Sequence, residues 1–271
     1  MRRLLLVAAA AGGALAAAAA GARWGLAHQA AAARAVIGKP LGEEALAADR
    51  TWRKKHGDRI ELLLLGDSIA AGLGATKPKH TLGAQLARRL GRRTERAVRL
   101  HTAAVVGSES SALLAQLAGL PASYRPDVAV LVVGGNDVTH RVPVADSVRY
   151  LGEAVEALQE SGCVVVVGTC PDLSALAALP QPLRSLAGTS SRRLATAQQR
   201  EALRLGARAV SLSDVVGPFF LSQPDSMFAV DRFHPSSEGY KRTAKAILPS
   251  VLAALGYAED VPFGHHAPRA G

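Results

Sequence analysis

The strongest constraint on the fold is a set of short apolar runs that alternate with helical segments. Three of them, ELLLLGDS at 61–68, DVAVLVV at 127–133 and CVVVVGT at 163–169, are too short for helices and apolar at most positions. Such runs predict strands that are buried on both faces, as in a parallel sheet covered by helices. Two further strands are predicted at 97–107 and 207–212.

Amphipathic helices separate these strands. Leucines recur every four positions from Leu82 to Leu90 while arginines occupy the other side, which predicts a helix at 81–90. Further helices are predicted at 109–120, 143–159, 191–205 and 237–255. The alternation predicts an α/β domain over 59–258, with a five-stranded parallel sheet and helices on both faces.

The first 22 residues have the pattern of an export signal. Arg2 and Arg3 precede nineteen uncharged residues, 4–22, of which eleven are alanine, and Ala20-Gly21-Ala22 resembles a cleavage site. We therefore expect 1–22 to be a signal peptide or an N-terminal membrane anchor, the alternative being a buried core helix. The basic start places the body outside, either secreted or at the outer face of the plasma membrane.

The segments that flank the predicted domain carry no recognisable chemistry. Residues 23–58 are rich in alanine and are expected to form a helical stalk or linker, and residues 259–271 a flexible tail. Cys163 and Cys170 belong to one predicted strand and would lie roughly 23 Å apart, too far for a disulfide. We expect both to be buried as small hydrophobic residues.

The charge balance is strongly basic, with 32 lysines and arginines against 22 acidic residues. Aromatic residues make up only 4%, so the interleaved basic and aromatic groups of a nucleic-acid-binding surface are missing and no such partner is expected. Six arginines lie within 88–99. These arginines either lie at a solvated helix end or form a surface that binds a wall polymer or an anionic lipid. We expect a monomer.

Residues capable of chemistry follow the predicted strands. Gly66-Asp67-Ser68 comes after the first strand, Gly107-Ser108 after the second and Gly134-Gly135-Asn136-Asp137 after the third. Asp231-Arg232-Phe233-His234 lies between the fifth strand and the last helix. Because parallel sheets bind ligands at the carboxyl ends of their strands, these segments predict one common site.

These segments resemble the sequence blocks of the GDSL or SGNH hydrolases, serine esterases with a flavodoxin-like three-layer fold. The resemblance runs from about 61 to 255 and is carried by GDSIAAGLG, AAVVGSESS, VVGGNDV and DRFHP. It implies that Ser68 is the nucleophile, that Asp231 and His234 complete a triad, and that Asn136 is the asparagine of the third block.

The sequence departs from the family pattern in two places. The asparagine often found upstream of Gly107 is replaced by Thr102 or Ala103. Ile69-Ala70 stands where Leu-Thr or Leu-Ser is usual, at positions that the mechanism does not need.

The residue types fit ester hydrolysis on physical grounds as well. A serine hydroxyl needs a base, and His234 lies on a loop beside the acid Asp231. Attack on an ester places negative charge on the carbonyl oxygen, which needs donors aimed at it. We assign these donors to the main-chain N–H groups of Ser68 and Gly107 and to the side-chain amide of Asn136.

The remaining polar residues of these blocks receive supporting roles. Asp67 and Gly135 are expected to support the loops, Asp137 belongs to the turn, and Gly107 lets the backbone approach because it has no Cβ. His140 is either a solvated surface residue or a substrate contact. The triad and the three donors are chemically complete, so no cofactor or metal is implied.

Two other functions are open at this point. Asp67, Asn136, Asp231 and His234 could serve a metal-dependent phosphoesterase, although more histidines would be needed. The same fold could also belong to a non-catalytic surface-binding protein.

The resemblance implies a small-molecule, lipid or acylated-glycan ester as substrate, because the family spans lipases, thioesterases and deacetylases. We expect short to medium acyl chains. Four phenylalanines could line an acyl pocket or pack a loop onto the core: Phe219, Phe220, Phe228 and Phe233. The loop 171–188 could shade the site as a lid.

Overall fold

The computed structural model describes residues 2–38 and 40–268. Met1, Lys39 and residues 269–271, which belong to the expected leader, linker and tail, lie outside them.

One sheet runs through the domain, and its central strands are the predicted ones. Its strands in the described ranges are β1 (Thr51–Trp52), β2 (Arg59–Gly66), β3 (Ala97–Thr102), β4 (Val128–Val132), β5 (Val164–Gly168), β6 (Arg208–Val210) and β7 (His265–His266). The order is β1-β3-β2-β4-β5-β6-β7, with β2 to β6 parallel and β1 and β7 antiparallel at the edges. The predicted α/β class is confirmed, and the two edge strands are additions to the five predicted.

Helices cover both faces of this sheet. The α-helices of the described ranges are α1 (Arg2–Ile37), α2 (Ser68–Ala71), α3 (Leu82–Thr94), α4 (Leu113–Ala118), α5 (Gly135–His140), α6 (Val144–Glu160), α7 (Leu183–Arg204), α8 (Leu212–Val215), α9 (Gly217–Ser222), α10 (Pro224–Met227) and α11 (Ser237–Ala254). Alternate side chains of β2 enter opposite layers of the core, as the period of a strand requires. Leu62 and Leu64 pack with α3 and α11, and Leu63 and Leu65 pack with α4, α6 and α7.

Both cysteines are free and buried, as predicted. Burial raises the pKa of the Cys163 thiol to about 12. Burial likewise raises the pKa of the Cys170 thiol well above its ordinary value. Neither sulfur is therefore a nucleophile at neutral pH.

The expected boundaries do not coincide with breaks in the structure. Helix α1 continues from the leader into the linker region without interruption, and Thr51–Trp52 of the linker pairs with β3. His265–His266 pairs with β6, and His265 is buried, so this part is not the flexible tail that the sequence suggested. Among the described residues, none of the helices has both the length and the apolar character that a bilayer-spanning helix needs.

The loop after β5 also differs from the prediction. Helix α7 begins at Leu183, eight residues before the predicted start at Ser191, and a 3₁₀ turn at Leu173–Ala175 precedes it. Gly188 and the serines around it are weak helix formers, which is why the sequence pattern hides this first part of the helix.

Candidate active site

The structure brings Ser68, His234 and Asp231 into one chain of hydrogen bonds. Ser68 is the first residue of α2, directly beyond the end of β2, and its Oγ lies 3.0 Å from His234 Nε2. On the other side of the ring, His234 Nδ1 lies 2.6 Å from Asp231 Oδ2. With Nδ1 donating to the carboxylate, Nε2 is free to accept the proton of the serine hydroxyl.

The base and the acid share one short segment, residues 229–236, which we call the histidine turn. Asp231 Oδ1 accepts hydrogen bonds from the main-chain N–H groups of Phe233 and His234, both at 3.0 Å. Arg232 between them has a φ of 53°, in the left-handed region that only a few per cent of non-glycine residues occupy. The main chain closes on itself where Ala229 N–H donates to the His234 carbonyl at 2.8 Å. The turn therefore fixes the separation of Asp231 and His234 by its own bonds.

The Asp231 carboxylate is held in its charged form. Burial raises its pKa, but the hydrogen bonds from the His234 ring and from two main-chain N–H groups outweigh burial, so the pKa lies below the ordinary value. A charged Asp231 keeps the proton of His234 on Nδ1.

The nucleophile lies in a second turn, residues 66–68, which we call the nucleophile turn. The Asp67 carboxylate accepts from Ile69 N–H at 2.9 Å and so caps α2, as expected of a residue that supports the loop. Burial is the main influence on this carboxyl group and raises its pKa to about 6.

Gly66 allows the nucleophile turn to touch the neighbouring strand. Its φ is 129°, and a Cβ there would lie 1.9 Å from the Val132 carbonyl oxygen. No other residue fits at this position without separating β2 from β4.

Gln116 on α4 holds the same turn, and sequence reasoning missed it. Its Oε1 accepts from Gly66 N–H at 2.9 Å, and its Nε2 donates to the Gly66 carbonyl at 2.8 Å and to Ser108 Oγ at 3.3 Å. One buried amide therefore ties the strand end before the nucleophile to the loop that carries Gly107. A glutamine in an amphipathic helix, 50 positions from its partner, gives no signal in the sequence.

The three proposed oxyanion donors face one cleft together with His234. Ser68, Gly107 and Asn136 all line it. Among the described residues, the main-chain N–H groups of Ser68 and Gly107 donate to no protein acceptor. Asn136 Nδ2 donates one hydrogen to the Ser108 carbonyl at 2.9 Å, which orients the amide and leaves its second hydrogen for a ligand.

Gly107 has a φ of 82°, in the left-handed region that favours glycine, and no described protein atom lies within 4 Å of its Cβ position. One expectation about a neighbouring residue needs correction. Asp137 does more than form a turn, because it is fully buried and accepts from Ser110 N–H at 3.1 and 3.2 Å. Gly135 packs beside the site, where its Cβ position lies 3.8 Å from Asp67 Oδ2.

Two more buried side chains position the site without a sequence signal. Gln198 accepts from Cys170 N–H at 2.7 Å and donates to the Val133 carbonyl at 3.0 Å, where β4 and β5 diverge. The Tyr240 hydroxyl donates to the Leu73 carbonyl at 2.6 Å and so holds the chain after α2.

Ser68 and His234 lie between two spaces of different character. One is an enclosed apolar pocket lined by Ile69, Leu173, Leu176, Leu212, Val216, Phe220, Phe228 and Phe233, among others. The other is an open cleft whose walls include residues of α1, α5 and α7: Arg23, Leu26, Ala30, Thr139, His140, Leu183, Leu186 and Ser190. Gln29 of α1 donates to the Gln181 carbonyl at 3.0 Å, so α1 contacts the segment before α7.

Three of the four phenylalanines line the pocket, and residues of the loop 171–188 line both spaces. Phe220, Phe228 and Phe233 line the pocket, whereas Phe219 packs under the Arg242 guanidinium at 4.4 Å from the ring centre.

His140 lies at the cleft with its Nδ1 2.7 Å from Glu109 Oε1. In the described ranges, no group of three or more His, Cys, Asp or Glu side chains is arranged to hold a metal ion.

Comparison with known proteins identifies the family. The profile of the GDSL-like Lipase/Acylhydrolase family matches residues 64–242, more than half of the chain. The chain belongs to this family. The prediction made from the four sequence blocks is thereby confirmed, and so is the predicted enzyme class, carboxylic ester hydrolase.

Individual relatives agree with the family assignment. GDSL-like esterase Rv1075c of Mycobacterium tuberculosis is 36% identical over 261 residues, which cover 93% of this chain and 83% of that protein. The lipase/acylhydrolase from Enterococcus faecalis has a TM-score of 0.58 at 20% identity, covering 72% of this chain and 96% of that one. An acetylxylan esterase from Geobacillus stearothermophilus has a TM-score of 0.54 at 18% identity, covering 75% of this chain and 97% of that one. The two structures support the fold.

Proposed function

We propose that this GDSL-family chain is an exported serine esterase that cleaves carboxylic esters through Ser68, His234 and Asp231 and an acyl-enzyme intermediate. The observation that carries the proposal is the hydrogen-bond chain Ser68 Oγ to His234 Nε2 at 3.0 Å and His234 Nδ1 to Asp231 Oδ2 at 2.6 Å. The first distance lies within the range in which a base activates a nucleophile, and the second is that of the hydrogen bond that orients the base.

In the first half-reaction, Ser68 Oγ attacks the ester carbonyl while His234 Nε2 takes the hydroxyl proton. The imidazolium that forms is stabilised by the Asp231 carboxylate. The tetrahedral intermediate then collapses, the bond between the carbonyl carbon and the alcohol oxygen breaks, and His234 gives its proton to the departing alcohol.

The negative oxygen of the intermediate needs donors that are already in place. The N–H groups of Ser68 and Gly107, which lack acceptors in the described part of the chain, and the second hydrogen of the Asn136 amide can supply three. Losing one such donor typically lowers kcat on the order of 10²–10³. In the second half-reaction water replaces the alcohol, His234 activates it, and the acid is released.

The family supports esters of small molecules as substrates, and lipid or acylated-glycan esters remain within the proposal. The 36% identical relative is named an esterase, which agrees with hydrolysis of carboxylic esters. Short to medium acyl chains are the expected acyl groups.

Replacing Ser68 by alanine tests the proposal. We expect Ser68→Ala to lower kcat for short-chain nitrophenyl esters on the order of 10⁴–10⁶, as for loss of a catalytic serine elsewhere. Ser222→Ala is the matched control, since Ser222 is exposed and its hydroxyl donates to the Pro218 carbonyl. A fluorophosphonate should label the wild type once and Ser68→Ala not at all, as read by intact mass.

Hydrolysis that survives in pure Ser68→Ala would remove Ser68 from the mechanism. Activity that appears only with an added divalent metal would favour a phosphoesterase. A wild type that neither hydrolyses esters nor reacts with the fluorophosphonate would favour a non-catalytic binding protein.

The export part of the proposal is supported by Arg2, Arg3 and the uncharged run 4–22. The mass of the N-terminal peptide, measured from culture medium and from membranes of the producing cells, tests it. A chain that begins near Arg23 supports cleavage, and an intact chain in the membrane fraction supports anchoring. An intact chain found only in the cytoplasm contradicts export.

A further inference from the structure

The two spaces beside Ser68 differ in the groups that they offer a substrate. The enclosed pocket extends from Ser68 and Asn136 into a wall of leucine, valine and phenylalanine side chains. Within it, Phe220 and Phe228 meet edge to face with ring centres 4.8 Å apart. The open cleft is lined by polar groups such as Thr139, His140 and Ser190 alongside its apolar residues.

We propose that the enclosed pocket binds the acyl chain of the substrate and that the open cleft receives its alcohol part. The inference rests on the proposed function and adds an orientation and a substrate class: esters of a short to medium straight acyl chain with a larger, polar alcohol. Hydrocarbon gains free energy by leaving water for a dry apolar pocket, whereas hydroxyl groups would lose their hydrogen bonds there.

The position of His234 agrees with this orientation. Its ring lines both spaces, with the Phe233 ring packed against it at 4.9 Å between centres. His234 must give its proton to the alcohol oxygen, so an alcohol that lies in the open cleft can depart to solvent. The acyl group stays enclosed on Ser68.

The pocket limits the length of the chain. Leu176, Phe220 and Phe228 are among the residues that line it beside Ser68. A chain longer than the pocket leaves part of its hydrocarbon in water, so the short to medium chains of the proposed function are the ones that it favours.

Two isomeric esters test the orientation directly. Ethyl hexanoate and hexyl acetate have the same atoms and similar leaving groups, but they place the six-carbon chain on opposite sides of the ester. We expect kcat/KM to be at least about ten-fold higher for ethyl hexanoate, because each buried CH₂ contributes about three- to four-fold. Equal rates, or a preference for hexyl acetate, would overturn the proposal.

Changing the pocket tests its location. Gly217 lines the pocket, and a Cβ there would meet only the Leu212 carbonyl at 3.9 Å. We expect Gly217→Val to lower the ratio of ethyl hexanoate to ethyl acetate hydrolysis about ten-fold. We expect Phe220→Ala to extend the longest chain that is hydrolysed efficiently by two or more carbons. Phe219→Ala, next in sequence but outside the pocket, is the control and should keep the wild-type profile.

The outcomes separate this inference from the proposed function. If Ser68→Ala abolishes hydrolysis of both isomers but neither Gly217→Val nor Phe220→Ala changes the chain-length profile, the esterase proposal stands and the pocket assignment is wrong. If Phe219→Ala shifts the profile as much as Phe220→Ala, the assignment is wrong as well. Hydrolysis of both isomers by Ser68→Ala would contradict the esterase proposal itself.

Discussion

The nucleophile turn and the histidine turn meet at one hydrogen bond, yet they are held in different ways. The histidine turn is fixed mainly by bonds within itself, from Asp231 Oδ1 to two main-chain N–H groups and from Ala229 to His234. The nucleophile turn depends on residues that are distant in sequence. The Gln116 amide is hydrogen-bonded to Gly66, and the Tyr240 hydroxyl is hydrogen-bonded to the chain that follows α2. Hydrogen bonds within one turn thus orient the base, whereas residues from distant helices position the nucleophile.

The aspartates of the two turns show the same contrast. Both are buried, Asp67 at 2% exposure and Asp231 at 6%. Burial dominates for Asp67 and raises its pKa to about 6, whereas hydrogen bonds outweigh burial for Asp231 and lower its pKa. The Asp231 carboxylate accepts more hydrogen bonds and loses less solvation than the Asp67 carboxylate, and both differences lower its pKa relative to that of Asp67.

Asp231→Asn should have the largest effect. The asparagine oxygen can still accept from the two main-chain N–H groups, so the histidine turn keeps its shape. The uncharged asparagine side chain no longer favours a proton on His234 Nδ1. We therefore expect kcat to fall on the order of 10⁴, the loss measured for this change in another serine hydrolase. Steady-state kinetics on a nitrophenyl ester gives the value.

Asp225→Asn serves as the control, because Asp225 is exposed on α10, close in sequence to the histidine turn. An Asp231→Asn variant with near wild-type kcat would show that the carboxylate does not orient the imidazole.

Asp67→Asn should change the pH dependence of stability. The folded-state pKa of Asp67 is about 6 against an ordinary value of 3.8. The folded state therefore binds its proton more tightly, and stability decreases as pH rises from 4 to 7, by about 2 kcal/mol from this group. Removing the charge should abolish that decrease, as measured by urea unfolding at pH 4 and pH 7.

Asp231 should act in the opposite direction, but at lower pH than the range of this measurement. Because the folded-state pKa of Asp231 is lowered, Asp231 adds stability above its ordinary pKa and loses it as the pH falls through the lowered value. If Asp67→Asn and Asp225→Asn show the same change between pH 4 and pH 7, burial of Asp67 does not govern its proton affinity.

Gln116→Ala should have the smallest effect of the three variants. We expect kcat to fall about ten-fold while KM stays nearly unchanged. It leaves the Gly66 N–H without a partner, which also lowers the free energy of unfolding by about 1–3 kcal/mol, whereas the Gly66 carbonyl keeps its hydrogen bond from Val105 N–H at 3.1 Å. Gln159→Ala is the matched control, since Gln159 donates to the Leu205 carbonyl at the opposite edge of the sheet.

A comparable loss of stability in both glutamine variants, with kcat reduced only in Gln116→Ala, would support a positioning role. Equal kcat in the two variants would show that Gln116 is merely structural.

The sequence predicted the parts of this site that lie at strand ends. Ser68, Gly107 and Asn136 could be placed because each follows a buried run, and topology then brings them to one edge. Gln116, Gln198 and Tyr240 could not, because their partners are distant in sequence and each occupies an ordinary position on a helix.

The short and irregular elements could not be predicted from the sequence for a different reason. β1 and β7 contain two residues each, too few to show a period of two. The first part of α7 contains Gly188 among serines, so local propensity argued against a helix that packing on the rest of the domain stabilises.

The two short antiparallel strands have a consequence for the behaviour of the protein in solution. A row of unpaired peptide groups at the rim of a sheet invites another molecule to add a strand, and β1 and β7 occupy both rims. β7 is secured by Gly264 accepting from Ser211 N–H at 2.8 Å and by the contact between His265 and Ser250. Deleting β7 would leave backbone N–H and C=O groups of β6 unpaired at this edge of the sheet. The protein would then be prone to self-association even with its catalytic groups intact.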